Sequence, residues 1–109
     1  MSIWSELQDK GWVLYGCLLD QGEVKQSSFP AEMQKHLAVA KQSLAYIFKN
    51  IVNNADGYDE AHMEVGLHYF SGYLLRSGVI LVCFCQSDTN QEVLRRYIED
   101  NKERILDLL

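Results

Sequence analysis

The chain has 109 residues, with ten basic against fifteen acidic side chains and a net charge of −5; this bounds it to one domain, residues 1–109, burying roughly two thirds of its unfolded surface in a single core. The acidic balance argues against nucleic acid, whose phosphate backbone calls for a clustered basic footprint. No stretch approaches the ~20 apolar residues of a membrane span, and residues 1–10 lack the basic and apolar regions of a leader, so the expectation is a soluble, non-secreted chain.

In chain order, residues 2–10 place Ile3, Trp4 and Leu7 at helical spacing and read as a short helix that Gly11 breaks. Residues 12–19 form a dense apolar run ending at Asp20-Gln21-Gly22, a hairpin-type turn signal. Residues 23–29 alternate and are polar enough for an edge strand, which Pro30 stops. From Ala31 on, Met33, Leu37, Ala40, Leu44, Ile47, Phe48 and Ile51 recur at three and four residues, predicting a long helix that ends in residues 53–57. Residues 61–70 alternate, with Met63, Val65, Leu67 and Tyr69 on one side and His62, Glu64, Gly66 and His68 on the other, and read as one strand. Ser71-Gly72 is expected to turn into a short strand, residues 73–76, and Ser77-Gly78 to turn again.

Residues 79–85, Val-Ile-Leu-Val-Cys-Phe-Cys, are apolar without a break. Because successive strand side chains point to opposite faces, such a run needs cover on both sides, and it belongs beside residues 12–19 at the centre of a sheet. Cys17, Cys83 and Cys85 all fall in these runs and read as reduced, buried thiols, which favours a cytoplasmic setting. Thr89-Asn90-Gln91-Glu92 has the form of a capping box and opens a last helix with a stripe of Leu94, Tyr97, Ile98, Ile105 and Leu108. Asn101 sits in that stripe and must find a hydrogen-bonding partner or face a gap in the cover layer. The predicted fold class is α+β: a five-stranded antiparallel sheet in the order α-β-β-α-β-β-β-α, with the long helix on one face and the terminal helices on the other.

No motif carries catalysis or a cofactor. His62-x-Glu64-x-Gly66-x-His68 would spread its ends over roughly 20 Å of strand, against metal bonds near ~2 Å. Cys83-x-Cys85 lacks the two-residue gap of redox and zinc motifs. Neither a Gly-x-Ser-x-Gly elbow nor a phosphate-binding Gly-x-x-x-x-Gly-Lys occurs. Arg95, Arg96, Lys102 and Arg104 are interleaved with acidic residues and read as a solvated helix face.

The order of elements, the strand-turn-strand from Gly16 to Ser28, the long helix after it and the three-strand stretch ending in the apolar run resemble the roadblock family of dynein light chains, whose fold is related to longins and profilin-like proteins. The resemblance covers nearly the whole chain and is one of topology and hydrophobic pattern; the first helix is shorter and less apolar than in many members. It implies a non-enzymatic homo- or heterodimer that scaffolds a partner or regulates a small Ras-like GTPase, and it supplies no catalytic residues. It also implies a dimer in which the long helix and the third strand meet their symmetry mates, here residues 31–53 and 62–69.

The residues themselves lead to the same surface. Val39 and Tyr46, flanked by Ser43 and Asn50, fall nearly opposite the core arc of the long helix, and two such residues seven apart form a patch that a two-fold axis can pair with itself. The third strand has no proline or lysine to blunt an edge. The candidate homodimer interface is therefore Val39, Ser43, Tyr46, Asn50, His62, Glu64, Gly66 and His68. A secretion-type chaperone or a ligand-sensing α/β domain is the alternative class.

Overall fold

The structure, a computed structural model, describes residues 2–52 and 60–109, and from residue 50 to 52 the backbone alone. Its elements are α1 (Ile3–Asp9), β1 (Val13–Asp20), β2 (Glu23–Ser27), a single 3-10 turn (Ala31–Met33), α2 (Gln34–Val52), β3 (Glu60–Val65), β4 (His68–Arg76), β5 (Val79–Gln86), α3 (Gln91–Asp100) and α4 (Lys102–Leu106). The five strands form one antiparallel sheet in the order β2-β1-β5-β4-β3. The unbroken run of β5 thus lies at the centre, flanked by β1 and β4, and both its faces are covered as its composition demands. Ile80, Val82 and Phe84 pack with Leu37, Ala40, Leu44 and Phe48 of α2. Leu81, Cys83 and Cys85 pack with Ile3 and Leu7 of α1, Leu94 and Ile98 of α3, and Ile105 of α4. A bulge between Val13 and Tyr15 lets β1 turn Val13 toward the α1 and α3 layer while Leu14 and Tyr15 join the α2 side.

The short first helix is capped by the Ser2 hydroxyl, which accepts from Ser5 N. Its Trp4 ring lies so close over Gly16 of β1 that a Cβ there would strike the indole. A missing side chain in the strand seats the largest side chain of the helix.

The expected strand over residues 61–70 is instead a hairpin. Gly66-Leu67 is a two-residue turn between β3 and β4, with Gly66 at φ +63°, and Val65 pairs with His68 across it. Glycine at the first position of such a loop takes the left-handed conformation at no steric cost. The alternation of apolar residues runs straight through the turn, which is why it does not show as a break. Ser71-Gly72, expected to turn, lies inside β4. Gly72 is needed for close approach: a Cβ on it would sit 2.9 and 3.0 Å from the Leu44 methyls and 3.1 Å from Phe48 Cε2, so α2 rests directly on the strand backbone.

Two further expectations are corrected at the C-terminal end. The N-cap of α3 is Asn90, whose Oδ1 accepts from Val93 N at 3.2 Å; the Thr89 hydroxyl donates instead to Trp12 O at 2.9 Å and ties the loop to the sheet. The last helix is two helices, because Asn101 closes α3 and opens α4. Its Nδ2 donates to Tyr97 O at 2.8 Å and its Oδ1 accepts from Arg104 at 3.2 Å, so the polar residue in the apolar stripe is satisfied at a break in the helix. The predicted helix end at residues 53–57 lies outside the described residues.

Candidate functional site

The outer face of α2 presents Val39 and Tyr46, 62% and 70% exposed, on the side opposite the buried Leu37, Ala40, Leu44 and Phe48, with half-buried Ser43 between them. Seven residues are about two helical turns, so Val39 and Tyr46 stand roughly 10.5 Å apart along one stripe. Among the described strands β3 forms one edge of the sheet, and the Val39 end of the stripe borders it. Between helix and edge runs a groove of about 340 Å³ lined by Lys35, His36, Val39, Met63, Val65 and Phe70. Asn50 lies on α2 in sequence, and its side chain is outside the described residues.

The structure separates the strand residues that the sequence placed together. The hairpin reverses the chain after Val65, and directly opposed residues share a face. His62, paired with Ser71, and Glu64, paired with Tyr69, point to the α3 layer. His68 lies on the α2 side, its ring stacked on Phe84 at 5.0 Å. Gly66 is in the turn. Next to it Leu67, assigned by alternation to an inward-facing side, is 82% exposed at the hairpin tip. The signal for it was Gly66 itself, a turn former inside an alternating run.

A polar relay that sequence reasoning did not find crosses the α3 side of the edge. Arg95 Nη1 of α3 donates to Glu60 Oε1 at 3.0 Å, Glu60 Oε2 is 3.2 Å from His62 Nε2, and His62 Nδ1 is 2.7 Å from Ser71 Oγ. An ionised carboxylate only accepts, so Nε2 carries the proton in the neutral ring and Nδ1 accepts from the Ser71 hydroxyl. The Ser71 oxygen in turn lies 4.0 Å from Cys85 Sγ. Carboxylate, imidazole and hydroxyl stand in the order of a nucleophilic triad. The hydroxyl, however, belongs to a residue with 0% of its surface exposed; His62, itself exposed, meets the rings of Tyr69 and Tyr73 edge-on. A nucleophile sealed from substrate does no chemistry; the relay fastens β3 to α3.

The thiols are equally withdrawn. Burial pushes the Cys17 thiol up to about 11 and that of Cys85 to about 12, and holds fully buried Cys83 well above the ordinary range. Since the thiolate is the nucleophile, all three are inert near neutral pH. Among the described residues no group of three His, Cys, Asp or Glu side chains is arranged to hold a metal ion, and no helix is long and apolar enough to cross a membrane.

No protein-family model matches the chain and no curated protein matches it. Among solved structures it is similar to the Roadblock/LC7 domain from Streptomyces avermitillis, with a TM-score of 0.67, 17% identity, and coverage of 93% of this chain and 92% of that one. At that identity the likeness is one of architecture, and it agrees with the order of elements, the antiparallel sheet and the two helical layers: this chain has the Roadblock/LC7 fold.

Proposed function

We propose that this chain is a non-enzymatic, homodimeric interaction module of the cytoplasm that scaffolds or regulates a partner protein, a small Ras-like GTPase before other candidates. The observation that carries the reading is the exposed Val39 and Tyr46 stripe of α2, whose Val39 end borders the edge strand β3. Apolar side chains on a helix face and an edge strand without proline or lysine together favour association over a solvated surface. The buried Ser71 hydroxyl and the protonated thiols support a binding role over a catalytic one, and the buried, unpaired cysteines suit a reducing compartment. The GTPase is drawn from the resemblance of the sequence and from the shared fold.

Light scattering at micromolar concentration and a pull-down from the native host test the two halves of this reading. A dimer that recovers a GTPase in a nucleotide-dependent manner, with loss of both in a Val39→Asp, Tyr46→Asp variant, supports it. A monomer at that concentration, or equal recovery of the partner by wild type and variant, overturns it. Capture of an unfolded effector segment in place of a GTPase would move the assignment to the chaperone class.

A further inference from the structure

A second hollow, of about 380 Å³, opens between the C-terminal half of α2 and the turns that join β1 to β2 and β4 to β5, and it shares no described residue with the groove beside β3. Its floor is apolar: Phe48 of α2, Leu74 of β4 and Ile80 of β5, all on the α2 side of the sheet. Ala45, exposed on the helix wall, is too small to close it. On the far side two turns interlock. Gln21 and Gly22 form a two-residue hairpin loop with φ +53° and +84°, a conformation that asparagine-glycine commonly fills. Gln21 N donates to Gly78 O at 2.8 Å, and the Gln21 side-chain amide lies over Gly78, where a Cβ would strike it. The longer side chain therefore reaches the rim from a fixed turn. That amide makes no hydrogen bond among the described residues, and exposed Lys49 at the mouth has no ion pair among them.

We propose that this hollow binds a small organic acid, its aromatic or branched aliphatic body on Phe48, Leu74 and Ile80, its carboxylate at the Lys49 ammonium and accepting from the Gln21 amide. The size fits, since small-molecule pockets begin at roughly 300 Å³, and at about 30 Å³ per water-sized group there is room for roughly a dozen. The sign of the charge comes from the helix. α2 carries Lys35, Lys41 and Lys49 and no acidic residue, in a chain of net charge −5. The acids of the neighbouring turn face away: Asp20 is paired with Val79 and Glu23 with Asp20, and Val79 packs in the α1 and α3 layer. An ion pair at an exposed lysine adds little binding energy, so the apolar body supplies most of the affinity and the charge selects acid over amine. The site is independent of the association proposed above.

Phenylacetate and phenethylamine, alike in ring and tether and opposite in charge, test it when titrated into the full chain at low salt with amide NMR shifts as the readout. Saturable shifts are expected at Gln21, Ala45, Lys49 and Gly78, with a dissociation constant of roughly 1 mM for phenylacetate. Phenethylamine should bind at least about five-fold more weakly, and Lys49→Gln should bring the two probes within about two-fold of each other. Ala45→Leu keeps the helix propensity and fills the mouth, so it should abolish the saturable shifts while leaving circular dichroism unchanged. Equal binding of acid and amine, phenylacetate shifts gathered around Val39 and Met63 instead, unaltered binding by Ala45→Leu, or no saturable shift for either probe overturns the proposal.

Discussion

Replacing Gly72 by alanine tests whether the backbone of β4 carries α2 directly. The new Cβ would meet the two Leu44 methyls at 2.9 and 3.0 Å and Phe48 Cε2 at 3.1 Å, all closer than ordinary contact. Leu44 is fully buried and Phe48 nearly so, so either must shift within the core to make way. Overpacking of this kind costs about 1–3 kcal/mol, offset by about 0.4–1 kcal/mol because alanine restricts the unfolded chain. The net expectation for Gly72→Ala is a loss of about 1–2 kcal/mol. Leu44→Ala alone removes a fully buried side chain and should cost about 2–5 kcal/mol. Combined, the two changes should cost at least ~1 kcal/mol less than their sum, because the methyls that the new Cβ strikes are gone and the Cβ fills part of the hole. Urea denaturation followed by far-ultraviolet circular dichroism, at one fixed protein concentration, measures all four species. Additivity within about 0.5 kcal/mol, or a Gly72→Ala variant more stable than wild type, would refute the contact. That outcome would also restore the reading of Ser71-Gly72 as a turn.

Two further outcomes follow from the buried and paired groups. Cys17, Cys83 and Cys85 should resist a thiol reagent at pH 7–8 in the folded protein and all react in denaturant, since burial keeps them protonated; rapid labelling of any of them without denaturant would contradict the packing of β1 and β5. Glu6, hydrogen-bonded by Arg104 of α4, has its carboxyl held below the usual carboxylate range, chiefly by that bond. A depressed folded value means that the stabilisation is present above the unfolded pKa and lost as pH falls through the folded one. Glu6→Gln should therefore lower the melting temperature at neutral pH and flatten its decline as pH falls below the ordinary glutamate value of about 4.3; an unchanged pH profile would show that the pair contributes nothing.

What could be read from the sequence follows the range of each interaction. The apolar runs of β1 and β5 and the stripe of α2 report burial that each segment carries in its own periodicity, and their places in the sheet followed from them. The hairpin at Gly66-Leu67 was hidden because a two-residue loop leaves the alternation unbroken while reversing the chain; one missed turn then moved Gly72 out of a strand and put His62 and His68 on the wrong common face. Val39, Ser43 and Tyr46 were legible as an outward stripe because one helix contains them all. The relay from Arg95 through Glu60 and His62 to Ser71 was not, since it joins α3, β3 and β4 and no local pattern announces it.

The central strand is the last of the five to be made. β1 and β4 each pair with β5 and not with one another, so the N-terminal unit of β1, β2 and α2 and the β3–β4 hairpin are joined by no strand pairing until residues 79–86 arrive. Pairs such as Val13 with Cys85 close loops of about 70 residues, whose entropy must be met before the sheet rewards it. On the ribosome, the chain therefore carries two unmatched sheet edges for most of its synthesis, and a truncation before β5 leaves β1–β2 and the β3–β4 hairpin in no common sheet, joined only through the packing of α2 on β4.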